Sequence, residues 1–331
     1  METARYLTHA PLRVPESLKN AGELFKTQLD GSRLAFRPVT AASMSEIWPI
    51  LSKEQGRTTD FSYAGLLMWV DYFKYEYAIV EDTLFIKGLF EDDITKPAFS
   101  LPVGPMPLHQ SVELIKAYCR IHGITPELSA VPEYALDELK ALHPKGMEEL
   151  SDWADYLYEA EKLSTLSGKK MSKKRNHVNK FISLNPDWKL EPLTADNAAE
   201  AFVMMDDFEL EADQTDMAAV ERALSRRLIQ RVAEGDAHLE ASVLRAQDGK
   251  ICAYTIGDIK GDTLFVHVEK ALRGYDGSYE MINFAFAKDV CTRHPEIRFI
   301  NREDAAGDPG LQKAKESYHP VELLRKYNVI M

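Results

Sequence analysis

The sequence predicts an α+β protein built as two tandem units, each a mixed, mostly antiparallel sheet flanked by helices. Three observations carry this. Residues 250–320 run in the order hairpin, glycine-bearing loop, long helix, strand and polar terminal segment. The first half alternates short apolar strands and helices in a similar way. Pieces of the two halves also line up. Phe36-Arg37-Pro38-Val39-Thr40-Ala41 matches Leu190-Glu191-Pro192-Leu193-Thr194-Ala195, and in each copy a glutamate, Glu46 or Glu200, follows the threonine by six residues. The helix ending Cys119-Arg120-Ile121-His122 has its counterpart ending Cys291-Thr292-Arg293-His294, and both lead into a strand. The expected organisation is an N-terminal extension (1–32), a first unit (33–160), a basic linker helix (161–186) and a second unit (187–331) carrying the main site.

Each element has a local cause. The extension is polar, with Pro11 and Pro15, and Leu18, Leu24 and Phe25 are its apolar members. Residues 34–39 read as a strand, and Thr40 is placed to cap a helix over 41–51. An aromatic helix covers about 63–69. Residues 75–80 and 83–88 form a hairpin across Glu81-Asp82, and 98–101 is a short strand. Three prolines between 102 and 107 prevent regular pairing. Residues 109–121 place Val112, Ile115 and Tyr118 on one helical face. A strand at 126–131, a helix at 134–142 and a closing strand at 155–158 finish the unit. The second opens at 188–193, with helices over 197–208 and 216–234. Strands at 238–245 and 251–258 are joined by Gln247-Asp248-Gly249. A strand at 264–270, a helix at 279–293 and a strand near 297–303 follow. The acidic run 206–213 reads as a solvated cluster or as a surface facing an amine.

Composition excludes several classes. The chain of 331 residues is 45% hydrophobic and 28% charged, as in a soluble globular protein of two ordinary domains. No apolar run approaches the roughly 18–20 residues that span a bilayer. Cys119, Cys252 and Cys291 lack metal-ligand spacing and cannot all pair, so a cytoplasmic location is expected. A net charge of −12 argues against generic nucleic-acid binding. Any polyanion must therefore meet a local patch. One exists: between residues 169 and 180 stand seven basic or potentially basic residues and no acid. Val178, Phe181 and Ile182 give this segment an apolar edge, so it reads as an amphipathic helix with a basic outer face. Lys169, Lys170, Lys173, Lys174, Arg175 and Lys180 are the candidate phosphate contacts; a solvated linker helix is the plain alternative.

Hairpin, glycine loop, helix and strand is the layout of the donor-binding half of a GNAT acyltransferase. A more specific likeness lies in Lys169-Lys170, Lys173-Lys174-Arg175-Asn176-His177, Asn179-Lys180-Phe181, the strand His267-Val268-Glu269-Lys270, Ile300-Asn301-Arg302-Glu303-Asp304, and Gly310-Leu311-Gln312-Lys313-Ala314-Lys315 with Ser317-Tyr318 and Pro320. With these residues the chain, over about 30–330, resembles the bacterial family related to the soluble C-terminal domain of phosphatidylglycerol lysyltransferase. The resemblance implies two tandem GNAT-like units, akin also to peptidoglycan aminoacyl transferases that use aminoacyl-tRNA. It implies transfer to a small-molecule or lipid-headgroup acceptor. The sequence holds no counterpart of the membrane-embedded part of those enzymes.

Acyl transfer needs a proton acceptor, donors for the developing oxyanion, and a cleft that orients both substrates. Phe265, His267 and Glu269 share one face of their strand, with Leu264, Val266 and Val268 on the other. Glu269 is the candidate general base; His267 reads as a hydrogen-bonded neighbour at the substrate, with a role as base the less favoured alternative. Gly274, Gly277 and Ser278 precede a helix whose N–H groups suit a phosphate. Their loop departs from the acyltransferase pattern Arg-x-x-Gly-x-Gly, and Asp276 is unfavourable beside a pyrophosphate, which weighs against acyl-coenzyme A. Asn301, Arg302 and Glu303 at a strand end, with Lys313 and Lys315, are candidate substrate contacts. Tyr318 is a candidate donor to the leaving oxygen. No metal and no tightly bound cofactor is expected. The reading is an acyl- or aminoacyltransferase acting by direct attack, with aminoacyl-tRNA favoured over acyl-coenzyme A as donor. The alternatives are an acyl-coenzyme A-dependent N-acetyltransferase and a non-catalytic ligand- or RNA-binding protein on the same fold.

Overall fold

The structure, a computed structural model, describes residues 30–90, 95–211 and 216–331. The extension before residue 30 and the end of the acidic run lie outside the described residues. The first half contains β1 (Arg37–Pro38), α1 (Met44–Leu51), α2 (Tyr63–Phe73), β2 (Glu76–Val80), β3 (Thr83–Leu89), β4 (Pro97–Phe99), α3 (Leu108–His122), β5 (Glu127–Pro132), α4 (Leu136–Lys140), β6 (Gly146–Glu149) and β7 (Asp155–Glu159). Two helices, α5 (Ala160–Thr165) and α6 (Ser172–Leu184), lead onward. The second half contains β8 (Lys189–Pro192), α7 (Ala198–Glu211), α8 (Asp216–Ala233), β9 (Leu239–Arg245), β10 (Ile251–Lys260), β11 (Thr263–Ala271), α9 (Ser278–Arg293), β12 (Phe299–Asn301), α10 (Pro309–Glu316), β13 (Glu322–Leu324) and β14 (Lys326–Ile330).

The strands form two seven-stranded sheets, ordered β1-β2-β3-β4-β5-β14-β6 and β8-β9-β10-β11-β12-β7-β13. The orders are the same, so β1 and β8 hold equivalent edges and the halves repeat one plan. The sixth place, however, is exchanged. Residues 155–159, read from sequence as closing the first sheet, pair antiparallel with β12 and β13 in the second. The C-terminal β14 fills the matching place between β5 and β6 in the first. Residues 326–330, to which the sequence reading assigns no element, thus form an interior strand of the first sheet.

Local chemistry explains most elements. The β2–β3 turn puts Glu81 and Asp82 at φ 49° and 55°, the left-handed pair that a two-residue hairpin demands. Ser62 caps α2 by accepting from Gly65 N, and Asp308 caps α10 by accepting from Leu311 N. The basic linker is two helices rather than one. The chain breaks at Leu166 and Gly168, both at positive φ, so Lys169 and Lys170 lie in the turn before α6. Val178 and Phe181 of α6 are buried as expected, but Ile182 is exposed.

Three apolar clusters hold the molecule. One covers the first sheet. Another joins the second sheet to α5, α6 and α9. The third lies on that sheet's other face, where α7 and α8 meet Ala64 and Met68 of α2. Helix α2 of the first half therefore inserts beside its own counterpart, α8, and becomes a wall shared by both units.

Candidate active site

The cleft follows from the sheet pairing. The parallel pair β11 and β12 is in register only for Thr263–Phe265 against Phe299–Asn301. Beyond that, β11 runs on while residues 302–304 part from it, with Arg302 and Glu303 still bonded through their main chain to Tyr156 of β7. In the first unit β4 and β5 touch at one pair, Phe99 and Leu128. Both wedges open into one cavity of about 910 Å³, walled between them by α2. Val266 to Lys270 and Arg302 to Asp304 line its second-unit side, and Phe90, Phe99, Ser100 and Ser129 its first-unit side.

A bulge aims the β11 side chains. Val266 pairs with Gly257 and Val268 with Ile256, which leaves His267 as the extra residue. Consequently Val266 and Val268 enter different apolar clusters, not one shared face. Gly257 permits the bend, since a Cβ there would lie 2.2 Å from Phe265 O. His267 is fully engaged: Nε2 donates to Asp258 Oδ1 at 2.6 Å and Nδ1 to Glu303 Oε1 at 2.7 Å. Burial pulls the imidazole down, but the two carboxylate hydrogen bonds outweigh it and push it up to about 10. It is an imidazolium at neutral pH, not a base. Asp258 in turn accepts from Tyr63 N and Ala64 N at 3.1 Å each, so a buried carboxylate pins the start of α2. Ser62 Oγ lies 3.4 Å from His267 Nε2. Its hydroxyl already donates to Thr59 O and accepts from Gly65 N, so it is no nucleophile.

The floor is ionic. Lys326 of β14 reaches Asp155 of β7 at 2.8 Å and Asp60 at 2.9 Å, so each exchanged strand supplies one partner. Asp155 also accepts from Thr59 N, Thr59 Oγ1 and Asn301 Nδ2. Burial opposes the Lys326 charge, but Asp155 and Asp60 more than compensate and raise its pKa. Burial raises Asp60 above the usual carboxylate range despite Lys326. Burial also pushes Asp304 up to about 6 against the opposing charge of Lys326. Lys315 donates to the carbonyls of Arg302 (2.6 Å) and Asp304, and burial pulls it down to about 8.

The other anticipated residues take mixed places. Glu269 lines the cleft with both oxygens engaged, one by Arg302 at 2.7 Å and the other by Asn283 Nδ2 at 3.1 Å. Tyr318 lines it too, with Lys174 Nζ 4.0 Å and the Arg302 guanidinium 4.8 Å from its ring centroid. Asn301 is buried beneath the cleft, and Lys313 is exposed outside its lining. Gly274, Gly277 and Ser278 do not line it. Gly277 (φ 82°) is where α6 presses closest, since a Cβ there would stand 2.3 Å from His177 O. Ser278 Oγ is spent on Leu272 O. Of the basic residues, Lys174 turns into the cleft onto Glu280, Arg175 caps the carbonyls of Leu166 and Gly168, and Lys180 pairs with Asp276. Lys169, Lys170 and Lys173 are exposed. Sequence reasoning missed Asp60, Asp155, Asp258, Asn283 and Lys326, and passed over Asp304 inside a motif it had singled out.

Two sheets of one strand order, each with a parallel pair splayed onto a common cleft, define a tandem GNAT-type acyltransferase fold. Residues 53–330 match the family phosphatidylglycerol lysyltransferase, C-terminal, and the chain belongs to it. A conserved protein of unknown function from Bacteroides thetaiotaomicron is 31% identical, with a TM-score of 0.82 over 90% of this chain and 99% of that one. The C-terminal domain of a putative lysylphosphatidylglycerol synthetase from Agrobacterium fabrum shares the fold at 13% identity, with a TM-score of 0.62 over 88% and 92%. An uncharacterised Mycoplasmoides gallisepticum protein is 27% identical over 180 residues, 53% of this chain; the match spans about half (55%) of that relative's length. The chain is thus related to aminoacyl-transferring enzymes. No helix among the described residues is long and apolar enough to cross a membrane.

Proposed function

We propose that the protein transfers an aminoacyl group from aminoacyl-tRNA to an amine or hydroxyl acceptor, by direct attack on the ester within the shared cleft. The observation that carries this is the packing of α6 on Gly277. A GNAT enzyme that uses acyl-coenzyme A holds the pyrophosphate at that helix start, and here the His177 backbone occupies that side of the loop. The same helix offers a different entry for a polyanion. Lys173, with Lys169 and Lys170 just before it, faces solvent, while the adjacent Lys174 reaches the cleft. A nucleic-acid 3′ end following that path would bring its ester to Arg302 and Tyr318. The neutral first-unit wedge then receives the acceptor, a small molecule or lipid headgroup. Holding both partners in one cleft replaces a bimolecular encounter with an effectively unimolecular step, a contribution open to a site without a covalent intermediate.

The test is a titration of labelled aminoacyl-tRNA and of acetyl-coenzyme A at two salt concentrations. Charge reversal at Lys169, Lys170 and Lys173 should weaken tRNA binding and flatten its log-affinity against log-salt slope by about 2–3. Saturable acetyl-coenzyme A binding with no tRNA binding overturns the aminoacyl reading. A second reading, a binding protein without turnover, draws on the engagement of both Glu269 oxygens; binding of aminoacyl-tRNA without its consumption would favour it.

A further inference from the structure

The cleft is lined by seven carboxylates, and six of them are already occupied. Asp60 is held by Lys326 at 2.9 Å, Glu221 by Lys270 at 3.2 Å, and Glu280 by Lys174 at 3.2 Å. Glu269 is held by Arg302 at 2.7 Å, and Glu303 by His267 at 2.7 Å. Asp308 is the cap of α10. Asp304 differs. Its Oδ1 accepts from Ala306 N at 2.8 Å, and among the described residues no cation lies within ion-pair distance of either oxygen. The two nearest ammonium groups are committed elsewhere. Lys315 is turned onto main-chain carbonyls, and Lys326 is shared by Asp155 and Asp60. Glu303, the neighbouring carboxylate, is paired with the His267 imidazolium, which it shares with Asp258.

We propose that Asp304 Oδ2 is the proton acceptor of the transfer reaction. This rests on the acyl-transfer reading of the cleft. As the acceptor nitrogen or oxygen forms its bond to the ester carbonyl carbon, its proton passes to Asp304. As the bond from that carbon to the ribose oxygen breaks, Asp304 returns the proton to the leaving oxygen. The products are the aminoacylated acceptor and a free ribose hydroxyl, and the carboxylate ends as it began. Burial, which pushes Asp304 up to about 6, makes it a stronger base than an ordinary aspartate while leaving it ionised at neutral pH. Glu269 becomes a positioning residue, holding the Arg302 guanidinium at the mouth of the β11–β12 wedge.

The experiment follows loss of label from radiolabelled aminoacyl-tRNA, with ethanolamine and phosphatidylglycerol vesicles as separate acceptor probes. Acetyl-coenzyme A is the alternative donor. Asp304→Asn should lower the rate by about 10²–10⁴-fold with unchanged tRNA affinity, and should lose the limb of the pH–rate profile near 6. Asp304→Ala should regain at least tenfold when formate is added, which a structural role would not produce. An Asp304→Asn rate within threefold of wild type, or an Asp304→Ala variant that formate leaves inert, overturns this assignment and leaves the transfer reading standing. A wild type that consumes neither aminoacyl-tRNA nor acetyl-coenzyme A overturns both.

Discussion

Replacing His267 by glutamine should change how stability depends on pH, by an amount the geometry sets. The imidazole is buried between Asp258 and Glu303 and titrates at about 10 when folded, against 6.5 when free. Between those values the native state keeps a proton that the unfolded chain has released. The stabilisation is therefore fully present below pH 6.5 and is lost as pH rises through about 10. Each pH unit in that window removes about 1.4 kcal/mol, and the whole gap is worth about 5 kcal/mol. Lys315, pulled down to about 8 by burial, acts in the opposite sense, adding stability as pH rises from there toward 10.5. It is present in both proteins and cancels in their difference. Urea unfolding of wild type and His267→Gln at pH 7 and pH 9 should therefore show the wild-type advantage shrinking by about 2–3 kcal/mol. A difference constant to within about 0.5 kcal/mol would refute the charged-histidine account and make His267 an ordinary neutral hydrogen-bonding side chain.

Two further outcomes follow from the packing. Gly277→Ala must place a Cβ at φ 82° and 2.3 Å from His177 O. It should lose about 1–3 kcal/mol from the backbone conformation alone, whereas Gly274→Ala, with open space around it, should stay within about 0.5 kcal/mol of wild type; equal melting temperatures for the two would remove the α6 contact from the argument. Lys326→Met leaves Asp155 and Asp60 without their shared cation and should cost about 3–5 kcal/mol in chemical unfolding. A loss below about 1 kcal/mol would mean that Thr59 and Asn301 satisfy Asp155 unaided.

What the sequence disclosed, and what it hid, divides by the range of the interactions. Helix and strand positions rest on local pattern, and the Glu81-Asp82 turn and the matched Pro-x-Thr starts were legible for that reason. Sheet membership is not local. Asp155-Tyr156-Leu157-Tyr158 reads equally well as the end of its own unit or as a strand of the next, because its apolar pattern suits either sheet. The short strand 326–330 gave too few alternating positions to separate it from a tail. The basic run was visible as charge, but its partners were not: Glu280, Asp276 and the Leu166 carbonyl lie elsewhere in the chain, and only they decide that Lys174 and Arg175 turn inward and that Lys180 is spent on a surface ion pair. One signal was available and unused. Gly257 inside an otherwise apolar strand marks a bulge, and the bulge is what turns His267 toward Asp258 and Glu303.

The exchange of β7 and β14 also bears on why the site lies where it does. Each GNAT-like unit has a wedge between its parallel strands, and either wedge alone would open to solvent. Exchange threads each unit's sixth strand from the other half, so the wedges are held face to face and share α2 as a wall. The ions at the seam, Lys326 with Asp155 and His267 with Asp258, come from strands of different sheets or bind an element of the other half. Some of the groups that fix the relative placement of the units are therefore groups that floor the cleft, while others, such as the buried Lys260–Glu54 pair, lie outside it. A change at Lys326 or His267 that loosens the seam must alter the cleft as well, so at these positions stability and ligand geometry cannot be tuned independently. Asp304, one residue beyond Glu303 and bordered by Lys326 and Lys315, sits where both constraints meet.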